Sequence, residues 1–329
     1  MKIVAKRLIE NPIITPQLDS RIGENINGPS LLLAPEWLPN RLGKYYLYFA
    51  HHQGSFIRLA YSDSLIGPWK IYQPGVMDVK DSLFAKTDPT PAANSTRPDW
   101  AVKFQDDYLY AHVASPDVHI DCENHQILMY YHGLLEDGDQ QTRLAISNDG
   151  IHFTAQKPLL GPPYFRVFQY QDYIYAFSWA GELHRSKHWQ GPFENGPRVL
   201  PDPPDVDTFH GCRHCAVSLN DNTLTVFYSR IGDKPERIIY VTLALTEDWT
   251  NWRSSEPQTL LRPERKWEGA DCAEAISRVG VAPGRLNELR DPCYFLDDDG
   301  STYLLYSGAG ESAIGLALLS EQFETDTLR

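Results

Sequence analysis

Four stretches of the chain repeat one pattern, an apolar strand, a Ser- or Thr-led polar turn, an aromatic and a short strand ending near proline. They are LAYSDSLIGPWKIYQPG (59–75), LAISNDGIHFTAQKPLLGP (144–162), LHRSKHWQGPFENGPRVLP (183–201) and LALTEDWTNWRSSEPQTLLRP (243–263). Such a repeat demands copied units that bury one another's apolar faces, because one unit alone cannot. A fifth copy is split, with IGLALLSEQF (314–323) giving strand and polar turn, and KRLIENPIITP (6–16) giving the strand that ends in proline. Joining these two pieces buries edges that would otherwise stay unpaired.

Ahead of each copy stands a hairpin of alternating β-formers. The pairs are 29–37 with 44–52, 116–121 with 127–133, 164–169 with 173–180, 214–219 with 224–230, and 292–297 with 302–310. Asp298-Asp299-Gly300 and Asn220-Asp221-Asn222 supply turn chemistry between two of these pairs. The 18 Tyr, 8 Trp, 24 Pro and 22 Gly of the 329 residues suit many short strands and tight turns. The expectation is an all-β chain, a single five-bladed β-propeller over 1–329, four strands to a blade, with the last blade closed by the N-terminal strand. Two long connections, 76–115 and 264–291, interrupt the rhythm, and loops of that length are usually functional or disordered.

A net charge of −13 offers no basic field for phosphates, which argues against nucleic acid or an anionic membrane as partner. No stretch approaches the roughly 20 apolar residues of a membrane span, and MKIVAKRLIENP reaches Glu10 and Pro12 before a signal-peptide core develops. Five scattered cysteines do not suit a secreted disulfide framework, so reduced thiols and a cytoplasmic location are expected. Cys212 and Cys215 form one C-x-x-C, but no second ligand pair at zinc spacing accompanies them. The oligomeric state leaves no mark in the sequence.

The first strand of each propeller blade lines the central channel, so residues where those strands begin converge on one funnel. That rule collects Asn27 and Glu36 from blade one, Asp117 and His119 from blade two, and Arg166 from blade three. Arg213 and His214 come from blade four, and Glu288, Arg290 and Asp291 from blade five. His51, His52, Glu182, Glu268 and Asp271 sit near enough to reach the rim. Trp69, Trp189, Trp249 and Trp252 fall within the repeat and are expected to pack between blades, whereas Trp37, Trp100, Trp179 and Trp267 are candidate stacking platforms.

The blade repeat, the S-x-S-x-x-G-P-W turn at 62–69 and the R-D-P at 290–292 together resemble the five-bladed propeller glycosidases, which include arabinanases, β-xylosidases and, with an added β-sandwich, invertases. The resemblance implies an inner-strand Asp as base or nucleophile, a second Asp on another blade that tunes pKa or stabilises the transition state, and a Glu as acid. Blade one departs from that pattern, opening Asn27-Gly28-Pro29 where the family carries Asp before proline. By local match, Asp291 and Asp117 stand for the two aspartates, and Glu288 or Glu268 for the acid.

Glycosidic cleavage needs two carboxyl groups, about 5–5.5 Å apart for retention and about 6.5–9.5 Å for inversion. Asp117, Asp291 and Glu288 are therefore the expected catalytic set. Asn27, His119, Arg166, Arg213, His214, Arg290 and Glu268 are the expected contacts to a small oligosaccharide or glycoside, and the arginines suit a carboxylate or sulfate on the sugar. No cofactor is expected, although His51, His52, His119, His210 and His214 meeting at the axis would suffice for a metal. A sugar phosphorylase, a lyase using His, Tyr or Arg, and a carbohydrate-binding propeller without catalysis stand as alternatives on the same fold.

Overall fold

Side-chain alternation in the inner hairpins decides where the strands run, and the register follows it. The computed structural model describes residues 2–90, 109–201 and 211–322. Strand β1 (Lys2–Arg7) comes first. Blade one holds β2 (Asn27–Leu33), β3 (Tyr45–Ala50), β4 (Phe56–Ser62) and β5 (Lys70–Asp78). Blade two holds β6 (Val113–Asp121), β7 (Gln126–Leu134), β8 (Gln140–Ser147) and β9 (Thr154–Ala155). Blade three is β10 (Arg166–Tyr170), β11 (Tyr173–Phe177), β12 (Glu182–Ser186) and β13 (Glu194–Arg198). Blade four is β14 (Cys212–Asn220), β15 (Thr223–Arg230), β16 (Ile238–Ala244) and β17 (Gln258–Leu261). Blade five places β18 (Leu289–Leu296), β19 (Thr302–Gly308) and β20 (Ala313–Gln322) beside β1. Every pairing is antiparallel, so the five-bladed propeller expected from the repeat is the fold.

The closing strand lies earlier than the repeat suggests. β1 pairs Lys2 with Gln322 through Arg7 with Ala317, whereas residues 8–16 leave the ladder and return at one bridge from Ile14 to Ile314. Asn11 explains the departure, because its amide donates to Leu316 O at 2.7 Å and accepts from Leu316 N at 2.8 Å, substituting for a strand partner.

Large aromatics fill the seams between blades. Tyr46, Tyr48 and Tyr131 are buried in the core shared by blades one and two, and Trp249 and Trp252 in that of blades three and four. Trp69 is buried between blades five and one, while Trp189 packs partly buried against the core of blades two and three. Buried hydroxyls tie blades together at the same seams, Tyr48 donating to Gly150 O at 2.8 Å and Tyr45 to the Asp297 carboxylate at 2.9 Å.

Candidate active site at the starts of the inner strands

A β-bulge re-aims the side chains it inserts, and four of the five inner strands carry one at the same height. The pairing skips from Asn27 to Ser30 in β2, Ala114 to Asp117 in β6, Cys212 to Cys215 in β14 and Arg290 to Cys293 in β18. Three of these bulges put the residue before a proline at positive φ: Gly28 at 58°, Ser115 at 50° and Asp291 at 50°. Tyr164, two residues ahead of β10, has φ 70°.

The bulged residues meet. The Asp291 carboxylate lies against His214 Nδ1 as an ion-pair contact without hydrogen-bond alignment, and neither Asp291 Oδ1 nor His214 Nδ1 has a hydrogen-bond partner among the described residues. His214 Nε2 faces Ser115 Oγ at 3.5 Å, and the Tyr164 ring centroid lies 4.2 Å from the imidazole's. Asp291 Oδ2 accepts from Gly28 N at 3.3 Å and from Ser307 Oγ at 3.4 Å. A Cβ on Gly28 would come 3.3 Å from Ser115 Cα, so blade one contributes backbone to this ring and no side chain.

Electrostatics in the ring follow from burial and pairing. Burial drives the Asp291 pKa up, but the adjoining His214 outweighs it and holds the carboxyl below its usual range. Burial also lowers the His214 pKa despite the Asp291 contact. At neutral pH the pair is therefore a carboxylate against the Nδ1 edge of a neutral imidazole.

Behind the ring lies a buried ion network. Arg213 grips Glu236 with Nε at 2.8 Å and Nη2 at 3.0 Å. Arg290, only 1% exposed, donates from Nε to Glu288 at 2.8 Å and from Nη1 to Glu311 at 2.8 Å, with Glu236 Oε2 at 3.6 Å. Glu311 also takes Asn25 Nδ2 at 2.6 Å, His52 Nδ1 at 3.2 Å and Ala282 N at 3.2 Å. Burial raises the Glu288 pKa, with Arg290 pulling against it and Glu236 adding to it. Burial would raise Glu311 as well, but His52 and Arg290 hold it well below its usual range.

The expected site residues separate into three groups. His214 and Asp291 share the ring, and Asn27 begins β2 next to Gly28, with Oδ1 unpartnered among the described residues. Arg213, Glu288 and Arg290 lie in the network, where the arginines neutralise protein carboxylates. Asp117 corrects the local match between S-P-D and R-D-P, because Ser115 holds the bulge position that Asp291 holds in blade five. Asp117 lies two residues on, about 7 Å farther along its strand, bound to His119 Nε2 at 2.8 Å and Val167 N at 2.7 Å. It lines a separate 180 Å³ axial cavity with His119, Arg166, Ser30 and Cys293. Arg166 is buried between the levels, donating to Ser115 O at 3.2 Å and Phe165 O at 3.1 Å.

Glu268 is elsewhere. It is fully buried among the outer strands of blades four and five, accepting from Arg7 Nε at 2.6 Å, Tyr306 OH at 2.8 Å, Glu264 N at 2.8 Å and Arg265 N at 3.0 Å. Every lone pair faces a donor of the protein, leaving none for substrate. Glu268→Ala is expected to cost about 3 kcal/mol of unfolding free energy, read by urea denaturation, with turnover per folded molecule unchanged. Glu36 is exposed beyond the far end of β2, and Asp271 pairs with Arg285 at 2.6 Å on the surface.

The connection 264–291 reaches the funnel rim. Its carbonyls at Arg278 and Gly280 accept from Arg213, and Gly280 O also accepts from Arg290 at 3.3 Å. Residues 281–285 wall an open cavity of about 750 Å³, lined also by Asn25, His51, Gln53, Glu311 and Trp267. Trp267 packs over Gly308 and Gly315 and stacks on Tyr306, while Trp37 stacks on His125. Trp100 and His210 lie outside the described residues. Among the described residues no three His, Cys, Asp or Glu side chains converge to hold a metal ion, the Cys212 and Cys215 thiols included. No described helix is long and apolar enough to cross a membrane.

Sequence reasoning overlooked Ser115, Tyr164, His132, Glu236 and Glu311. The X-Pro step shared by Gly28-Pro29, Ser115-Pro116 and Asp291-Pro292 was the signal for Ser115. The end of the second strand at Tyr131-His132-Gly133, matching His51-His52 of blade one, was the signal for His132, whose ring centroid lies 4.3 Å from that of Tyr164.

No protein-family profile matches the chain. Among solved structures, a thermostable family-43 glycoside hydrolase superposes with a TM-score of 0.59 at 15% identity, covering 95% of this chain and 93% of that one. The GH43_1 enzyme of Xanthomonas citri complexed with xylose gives 0.60 at 14% identity, over 92% and 89%. The β-xylosidase/α-arabinofuranosidase CoXyl43, from a compost metagenome, gives 0.57 at 11% identity, over 98% and 96%. These likenesses establish the five-bladed propeller of the family-43 glycoside hydrolases as the fold. The uncharacterized protein R118 of Acanthamoeba polyphaga mimivirus is 33% identical over 318 residues, covering 91% of this chain and 85% of that protein. With that identity over nearly its whole length, the chain belongs to the same family as R118.

Proposed function

We propose that this protein is a glycoside hydrolase acting on a small oligosaccharide or glycoside at the bulge ring. The observation that carries the reading is Asp291, a carboxylate on a positive-φ bulge at the start of an inner strand, directed into a ring built from four blades. Glu288 is the matching acid, because burial raises its pKa and its Oε1 has no hydrogen-bond partner among the described residues. The family-43 structures complexed with xylose and xylotriose support a carbohydrate as the substrate class. All five cysteines are unpaired, which supports a reducing compartment such as the cytoplasm.

One observation favours a second reading, saccharide binding without turnover: blade one contributes Gly28 where the enzymes of this fold are expected to carry an aspartate. A screen of the purified protein against an oligosaccharide panel, with and without phosphate, decides between them. Release of a monosaccharide by the native chain, falling at least a hundredfold in Asp291→Asn, supports hydrolysis. Phosphate-dependent release indicates a phosphorylase. Binding with no product under any condition overturns the enzymatic reading.

A further inference from the structure

We infer that Asp291 acts through His214, whose Nε2 is the atom that exchanges a proton with the reacting water. This deepens the hydrolase reading and rests on it. The geometry is a hydroxyl–imidazole–carboxylate array drawn from blades two, four and five. Asp291 Oδ1 meets His214 Nδ1, and His214 Nε2 turns away from the carboxylate toward Ser115 Oγ at 3.5 Å. A carboxylate against one imidazole nitrogen favours the proton on that nitrogen, which leaves Nε2 as the acceptor that Ser115 Oγ faces. Asp291 is itself fixed by Gly28 N and Ser307 Oγ on its other oxygen.

The surroundings keep the imidazole neutral. His214 is buried among the Tyr164 ring, the neutral buried His132 on β7, Arg166 on β10 and its own neighbour Arg213, with Asp291 the one acid in contact. The two arginines and burial oppose protonation, while Asp291 favours it. The proton acceptor is therefore available at and below neutral pH.

The step balances with the groups named. A water proton passes to His214 Nε2 as the water oxygen bonds the anomeric carbon, and the glycosidic bond breaks with its electron pair on the leaving oxygen. Glu288 supplies that oxygen's proton. Solvent afterwards takes the proton from His214 and restores that of Glu288, so one water is consumed for each bond cleaved. The arrangement replaces a blade-one carboxylate with an imidazole from blade four.

Two measurements test the inference. Nitrogen-15 NMR of the histidine rings needs no substrate: at neutral pH His214 is expected to carry its proton on Nδ1, and in Asp291→Asn to lose that fixed tautomer. A native ring protonated on Nε2 overturns the proposal whatever the enzyme turns over. In kinetics, His214→Ala is expected to lose at least a hundredfold in kcat and to recover part of it with added imidazole. The loss in the double variant with Asp291→Asn should be little more than in either alone. If His214→Ala stays within about threefold of native turnover while Asp291→Asn fails, Asp291 acts directly and the proposal is wrong. If the native chain cleaves no glycoside, the hydrolase reading falls, and the tautomer result still decides whether the Asp291–His214 pair exists as described.

Discussion

Arg290→Ala is expected to lower the unfolding free energy by about 3–5 kcal/mol, more than three decades in the folding constant at the upper end. Glu288 and Glu311 lose a direct hydrogen bond, and Glu236 a charge 3.6 Å away. All three carboxylates stay buried. Deleting one partner of a buried pair leaves the other charge desolvated and uncompensated, which costs far more than the pair itself contributes. The acids still have Arg213, His52 and Asn25, so the network weakens without vanishing. The deficit should shrink as pH falls toward the carboxylate range, because without Arg290 the Glu311 carboxyl takes up a proton more readily and sheds its uncompensated charge. Urea denaturation of both chains at neutral and mildly acidic pH gives the comparison. A variant within about 1 kcal/mol of native at neutral pH would sink this account of the network.

Acid should destabilise the propeller in two stages, and histidines set the first. Burial lowers His112 to about 4, and burial with Arg58 lowers His51 to about 4. Burial holds His132 well below its ordinary value too. An unfolded histidine titrates near about 6.5, so between there and about pH 4 the unfolded chain binds protons that the folded chain refuses. Stability must therefore fall with pH across that window, by about 3 kcal/mol for the fully buried His112 alone. Asp291 and Glu311, lowered by their basic partners, act below it. Their contribution is present above the unfolded carboxylate range and lost as pH falls through their folded values. His112→Asn should flatten the upper stage and leave the lower one in place. Denaturant titrations across the range read both slopes, and a pH-independent stability between about 6.5 and 4 would contradict the histidine assignment.

The blades were readable because strand alternation and turn chemistry are local. Asp298-Asp299-Gly300 turns where its sequence says, and the five hairpins fall within a few residues of their expected limits. The site was readable only to the level of the strand. Asp117 and Asp291 both follow a short polar run near proline, but the bulge inserts its residues at Ser115 and Asp291, which sends Asp117 to the level below. Glu268 looked available because it lies in a long connection. Its burial depends on Arg7, more than 250 residues away in sequence, and no local pattern announces such a partner. Glu236 and Glu311 were missed for the converse reason, since they stand beside third strands, which carry no rule about facing the axis.

Closure by β1 also sets an order of events during synthesis. Lys2 pairs with Gln322, so β1 waits for a partner synthesised about 320 residues later before its edge is covered. At roughly 5–20 residues per second that wait is on the order of a quarter of a minute to a minute. Through that interval the nascent chain holds an open velcro edge, and the blade that carries Asp291 is the last to assemble. A chain interrupted short of β20 would carry Asp291 on β18 in a blade still open to β1, so on the proposed chemistry activity would report closure of the ring as well as synthesis of the site.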